Sequence, residues 1–129
     1  MTADPAAGGA APPPKRTISG EVVLPGGDLP AEAAAVVVRV EDISRADAPS
    51  TVVGEQRIDH ADLAGRRAIP FTIEVPADLV DERALYSVQA HVDLSGSGEV
   101  ETGDFISTRT HPALTRGAED VVVVPVTRV

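Results

Sequence analysis

The chain has no cysteine and no tryptophan, and its aromatic residues are Phe71, Tyr86 and Phe105 alone. Without cysteine there is no disulfide framework, thiolate zinc site, iron–sulfur cluster or cysteine nucleophile. With so few aromatic rings there is almost nothing to stack bases or sugars on. Basic residues are also scarce: 11 against 20 acidic ones, a formal net charge of −9. That balance repels phosphate backbones and anionic lipid, so nucleic acid is excluded as a partner. No run approaches 18 uncharged apolar residues, so direct membrane insertion by a helix is not expected. No long amphipathic pattern and no G-K-[ST] phosphate loop occurs either, which disfavours an α/β nucleotide-binding fold.

A length of 129 residues indicates one domain, large enough to bury roughly two-thirds of its unfolded surface without staples. Residues 1–16 are rich in Ala, Pro and Gly without periodicity and read as a disordered tail; residues 17–129 form the domain. The opening stretch has no basic n-region, no run of large apolar residues, and an acid at Asp4, so it does not resemble a secretory signal. A cytoplasmic location is expected for the chain as given, and a periplasmic or envelope one if a leader has been removed.

From Thr17 onward, short β-branched runs alternate with turn signals. Strands are predicted at Thr17–Leu24, Ala34–Ile43, Thr51–Ile58, Ala68–Val75, Ala84–Leu94, about Val100–Arg109, and Asp120–Thr127. Ile69, Phe71, Ile73 and Val75 alternate with polar residues and Pro70, which suits an edge strand. Tyr86, Val88, Ala90 and Val92 share one parity, which places His91 on the polar face, exposed. The resulting expectation is an all-β, seven-stranded immunoglobulin-like or transthyretin-like sandwich. Its core should hold Ile18, Val22, Val38, Val40, Phe71, Ile73, Tyr86, Val88, Val92, Val122 and Val124.

Chemical motifs are sparse. Asp59, His60 and Asp62 form the densest local cluster, yet no second histidine lies nearby to complete a metal site, and they read as a solvated loop. Ser, His and Asp are all present, but no G-x-S-x-G elbow carries a nucleophile. Ser95–Gly98 reads as a hairpin turn. No catalytic residue, cofactor or metal is expected. Tyr86 opens the most regular strand shortly after a turn, the placement of a tyrosine corner whose hydroxyl bonds to backbone upstream. The segment between the second and third strands, with Asp42, Ser44 and Asp47, can shape a turn through side-chain bonds to nearby backbone. Its exposed residues Ser44, Arg45, Asp47 and Pro49 are the candidate partner-binding loop.

Several stretches carry a family resemblance: Ile18 to Val22, Val36 to Pro49 with its EDISRADAP run, Ile69 to Ile73, Tyr86 to Val88, and Leu114 to Gly117. Together they resemble the YbaY/YscW-type lipoprotein family over roughly residues 17–129. The resemblance implies a compact β-sandwich and no catalytic residues. Some members resemble pilotins, outer-membrane lipoproteins that assist assembly of the type III secretion secretin. No cysteine is present here to take a lipid. The expected function is therefore a non-enzymatic, protein-binding or assembly-assisting domain with an unidentified protein partner. The alternatives are a small-ligand carrier or hydrolase-like enzyme using a loop pocket, and self-association through a sheet edge.

Overall fold

A computed structural model describes residues 14–25, 33–45, 47–59 and 66–129. Among these residues the fold is all β, with a single 3-10 turn at Ala77–Leu79. Five strands form most of it: β1 (Lys15–Val23), β2 (Ala35–Asp42), β3 (Thr51–Asp59), β4 (Ala68–Pro76) and β5 (Tyr86–Asp93). Four shorter ones follow: β6 (Phe105–Ile106), β7 (Pro112–Ala113), β8 (Val121–Pro125) and β9 (Thr127–Arg128). A three-stranded sheet, β4-β1-β8, packs on a six-stranded one, β3-β2-β5-β6-β9, with β7 also on β5.

The strand count corrects the expected seven. The region predicted as one sixth strand pairs only at Phe105–Ile106, opposite Val92 and His91. The predicted seventh divides because the chain leaves one sheet and joins the other between Pro125 and Thr127. β1 also begins at Lys15, two residues before the strand read from the sequence. β4 is long enough to pair Lys15 with Pro76, and Ala77 N–H donates to the Pro14 carbonyl at 3.0 Å. The rest of the expected tail lies outside the described residues.

The core forms where the inward parities of both sheets meet. Ile18, Val22, Val38, Val40, Phe71, Ile73, Tyr86, Val88, Val92 and Val124 are all buried in one cluster. Val122 is only half-buried at its margin. Burying such side chains is the main favourable term in folding. Tyr86 turns its ring inward and its hydroxyl toward the 3-10 turn. The hydroxyl donates to the Leu79 carbonyl (3.2 Å) and accepts from Asp81 N–H (2.9 Å). Tyr86→Phe leaves both backbone groups without this partner and should cost about 1–2 kcal/mol, read by urea unfolding. A loss below 0.5 kcal/mol, roughly the floor for such bonds, would show that water replaces the hydroxyl.

The two long sides of the sandwich differ. On one side β3 closes against β4. Gly54 permits this approach, because a Cβ there would lie 2.7 Å from the Ile73 side chain. Gln56 Oε1 then accepts the Thr72 N–H at 2.8 Å, occupying a donor on the outer edge of β4. On the other side, β8 pairs with β1 and with no further strand among the described residues.

Candidate functional site

The open side is built around β8. Ser19 N–H donates to the Asp120 carbonyl (2.9 Å), and Val126 N–H donates to the Val23 carbonyl (3.1 Å). Backbone groups alternate direction along a strand. The even-numbered residues of β8 therefore face β1, and Val121 and Val123 turn their N–H and C=O groups to the outer edge. The two residues are 67% and 55% exposed. An edge of this kind is a template for pairing with another chain.

A wall from the opposite sheet faces this edge. Two cavities, of about 570 and 340 Å³, meet at His111 and Val123. The first reaches Arg109 and Thr127; the second reaches Gly117 and Glu119. The wall is held firmly. His111 N–H donates to Ser87 Oγ at 3.0 Å, and its carbonyl accepts from Val88 N–H at 2.9 Å. Beyond it, Leu114 and Arg116 adopt positive φ values of 68° and 59°, a region unfavourable for non-glycine residues. Three bonds stabilise that turn. Thr115 Oγ1 donates to the Ala84 carbonyl (2.7 Å), Arg16 to the Leu114 carbonyl (2.8 Å), and Arg116 to the Arg83 carbonyl (3.3 Å). The Leu-Thr-Arg-Gly stretch is thus the turn that delivers the chain to β8.

Desolvation holds the His111 pKa below its usual value, and the nearby Arg109 charge lowers it further. No salt bridge among the described residues engages Arg109 or Glu119. The groove is therefore cationic at its Arg109 end and anionic at its Glu119 end.

The candidate loop lies elsewhere. Ser44, Arg45, Asp47 and Pro49 are exposed, and none lines either cavity along β8. Ser44 N–H donates to Asp42 Oδ1 (2.9 Å), and Ser44 Oγ accepts from Leu85 N–H (2.8 Å). The bonds from Ser44 lower the Asp42 pKa. Asp42 and Ser44 thus shape the turn, leaving the Arg45 and Asp47 side chains at the surface. Of the acidic loop cluster, His60 and Asp62 lie outside the described residues.

His91 corrects the expectation of exposure: its side chain is only 11% exposed and sits 2.7 Å from Asp104. The loop from Leu94 to Gly103 folds back over that face of β5. Two buried carboxylates organise it. Asp93 accepts from Gly96 N–H (3.0 Å) and Gly98 N–H (2.9 Å). Asp104 accepts from Leu94 N–H (3.1 Å), Glu101 N–H (3.0 Å) and the His91 ring. Burial raises the Asp104 pKa, but the hydrogen bonds and the His91 charge outweigh it and the net direction is down. His91, Asp93 and Asp104 place ligand-type atoms within 4.8 Å of one another. Each carboxylate oxygen is, however, already taken by a donor of this loop. The sequence carried a signal for the anchor: aspartates flank a segment in which Gly96, Gly98 and Gly103 all have positive φ.

The described residues offer no assembled nucleophile. Ser107 Oγ donates to Gln89 Oε1 (2.9 Å) and accepts from Ala90 N–H (2.9 Å). Ser87 Oγ accepts from Gln89 Nε2 (3.1 Å) as well as from His111 N–H. The hydroxyls nearest His91 along β5 and β6 are thus committed to structure. A further cleft of about 250 Å³ lies on the outer face of the larger sheet, beside Arg39, Gln89 and His91.

Residues 13–126 match the family model YscW, described as a type III secretion system lipoprotein chaperone. The chain belongs to the YscW family. A YscW chaperone is a non-enzymatic protein, in agreement with the lack of catalytic motifs in the sequence. Among solved structures, this YscW-family chain is similar to an alternative pilotin from the type II secretion system of Vibrio cholerae. The TM-score is 0.71 and the identity 23%, over 89% of this chain and 99% of that one. That likeness shows a shared fold. No curated protein matches the YscW-family chain.

Proposed function

We propose that this protein is a pilotin-type chaperone that binds a secretin subunit and assists its assembly, without chemistry. The observation that carries this reading is the asymmetry of the sandwich: β3 closes one side, and β8 leaves the other side open beside a fixed groove. A strand edge can recruit an extended segment through main-chain bonds, while neighbouring pockets select its side chains. Membership of a family described as type III secretion system lipoprotein chaperones supports a secretion-system protein as the class of partner. Nucleic acid has no place in this reading, given a net charge of −9. No helix among the described residues is long and apolar enough to cross a membrane. Within sandwiches we read the type as immunoglobulin-like, on the corner made by Tyr86.

Co-expression with the secretin subunit of the same cell tests this function. Capture of the tagged chaperone should bring the secretin with it, and the yield of secretin multimers should rise. Absence of co-purification, with an unchanged multimer yield, would overturn the reading.

A further inference from the structure

The groove beside β8 specifies more than the presence of a partner. Val121 and Val123 present two N–H and two C=O groups, none of them bonded within the described β1–β8 pairing. Their exposed side chains lie on the outer face of the sheet, next to Ser19 and Glu21 of β1. Pro125 has no N–H to offer, so edge pairing becomes incomplete there. The edge thus has a defined length. Val121 to Pro125 covers five residues, on the order of 16 Å of extended chain.

The ends of that edge carry opposite charges. Arg109 stands with Pro125 and Thr127 at one end. Glu119 stands with Val121 at the other. Neither charge is neutralised by an ion pair among the described residues. We propose that the groove takes one extended segment of the partner protein, added antiparallel to β8, with an acidic residue at its N-terminal end facing Arg109 and a basic residue at its C-terminal end facing Glu119. Between them, small β-branched residues at alternate positions pack beside Val121 and Val123. Antiparallel addition is the more stable per residue, and cross-strand β-branched pairs add to it. The two charges set direction and register more than they add affinity. A second copy of this chain fits less well, because it brings two molecules of charge −9 together.

This inference rests on the partner-binding reading but is tested separately from it. The probes are two synthetic peptides with blocked ends, Glu-Val-Thr-Val-Thr-Lys and the charge-exchanged Lys-Val-Thr-Val-Thr-Glu. Each is titrated into the full chain while backbone amide resonances are followed. The first should perturb Val121 and Val123 and bind roughly tenfold more tightly than the second, since attraction at both ends becomes repulsion. The double variant Arg109→Glu with Glu119→Lys should reverse that preference; both side chains are exposed, so folding should be preserved, as the remaining amide spectrum will show. Equal binding of the two peptides, or perturbation centred on another edge, would overturn the proposal. So would perturbation of Val121 and Val123 by protein concentration alone, which would assign the groove to a second copy. If peptide preference fails while the secretin still co-purifies, this inference falls and the chaperone function stands.

Discussion

Gly20→Ala is expected to destabilise the domain by roughly 3–5 kcal/mol, near the upper limit for single substitutions. The cause is a backbone collision. A Cβ on Gly20 would lie 1.7 Å from the Val122 carbonyl oxygen and 2.7 Å from its carbon. Those atoms belong to the main chain of β8, which is hydrogen-bonded to β1 from Ser19 to Val23. No rotamer change can clear the space, so the strands must separate, and the β1–β8 pairing is lost with them. Val124 and Val126, both buried, would be drawn out of the core as β8 shifts. Urea unfolding measures the effect, and amide exchange at Val122 and Val124 locates it. A loss below about 1 kcal/mol, the centre of the range for ordinary substitutions, would mean that the two strands do not approach as closely as described.

Phe71→Ala is expected to cost about 3–5 kcal/mol by removing transfer energy and leaving a cavity. Phe71 is 3% exposed and lies directly opposite Gly20 in the β1–β4 register. It is one of only two phenylalanines in the chain. The buried residues around it are chiefly valine and isoleucine, whose β-branched side chains have little freedom to swing into the vacated volume. Native domains are stable by only about 5–15 kcal/mol, so this one ring represents a large share of the total. Equilibrium urea unfolding with an unchanged slope checks the result. A change under about 1 kcal/mol would place Phe71 at the margin of the core, outside the usual range for such truncations.

The parts of this fold that show in the sequence are those governed by local alternation. Ile69 to Val75 buries one parity, and the apolar residues of Tyr86 to Val92 share one parity, so their inward faces can be assigned without knowing their partners. The bonds of the Tyr86 hydroxyl to backbone at Leu79 and Asp81 were also legible, because they depend on a turn only a few residues upstream. Three kinds of feature were not. The strands β6, β7 and β9 are two residues each and exist through the neighbours they meet, so no periodicity marks them. The four valines from Val121 to Val124 have no polar residues between them; Val122 and Val124 were expected in the core, but only the parallel pairing with β1 decides that Val124 is fully buried, that Val122 stays half-buried at the margin and that Val121 and Val123 face outward. His91 was placed on the correct face of β5, but the loop anchored by Asp93 and Asp104 folds over that face and buries the ring.

The candidate site was harder to read for the same reason. The Ser44–Pro49 loop stood out as an exposed turn between strands. Its Ser44, together with Asp42 at the end of β2, is engaged in shaping that turn. The groove along β8 joins segments from two sheets, with Arg109 and His111 on one wall and Val121 and Val123 on the other. Only the crossing of the chain from β8 to β9 brings these segments together.

Hydrogen exchange of individual amides, in the free protein and in its complex with the secretin subunit, tests the central claim most directly. In the free protein Val122 and Val124, bonded into β1, should exchange slowly, and Val121 and Val123 should exchange fast. Complex formation should slow Val121 and Val123 while leaving Val122 and Val124 little changed. A complex that forms with Val121 and Val123 still exchanging at their free rates would contradict the assignment of the β8 edge as the partner site.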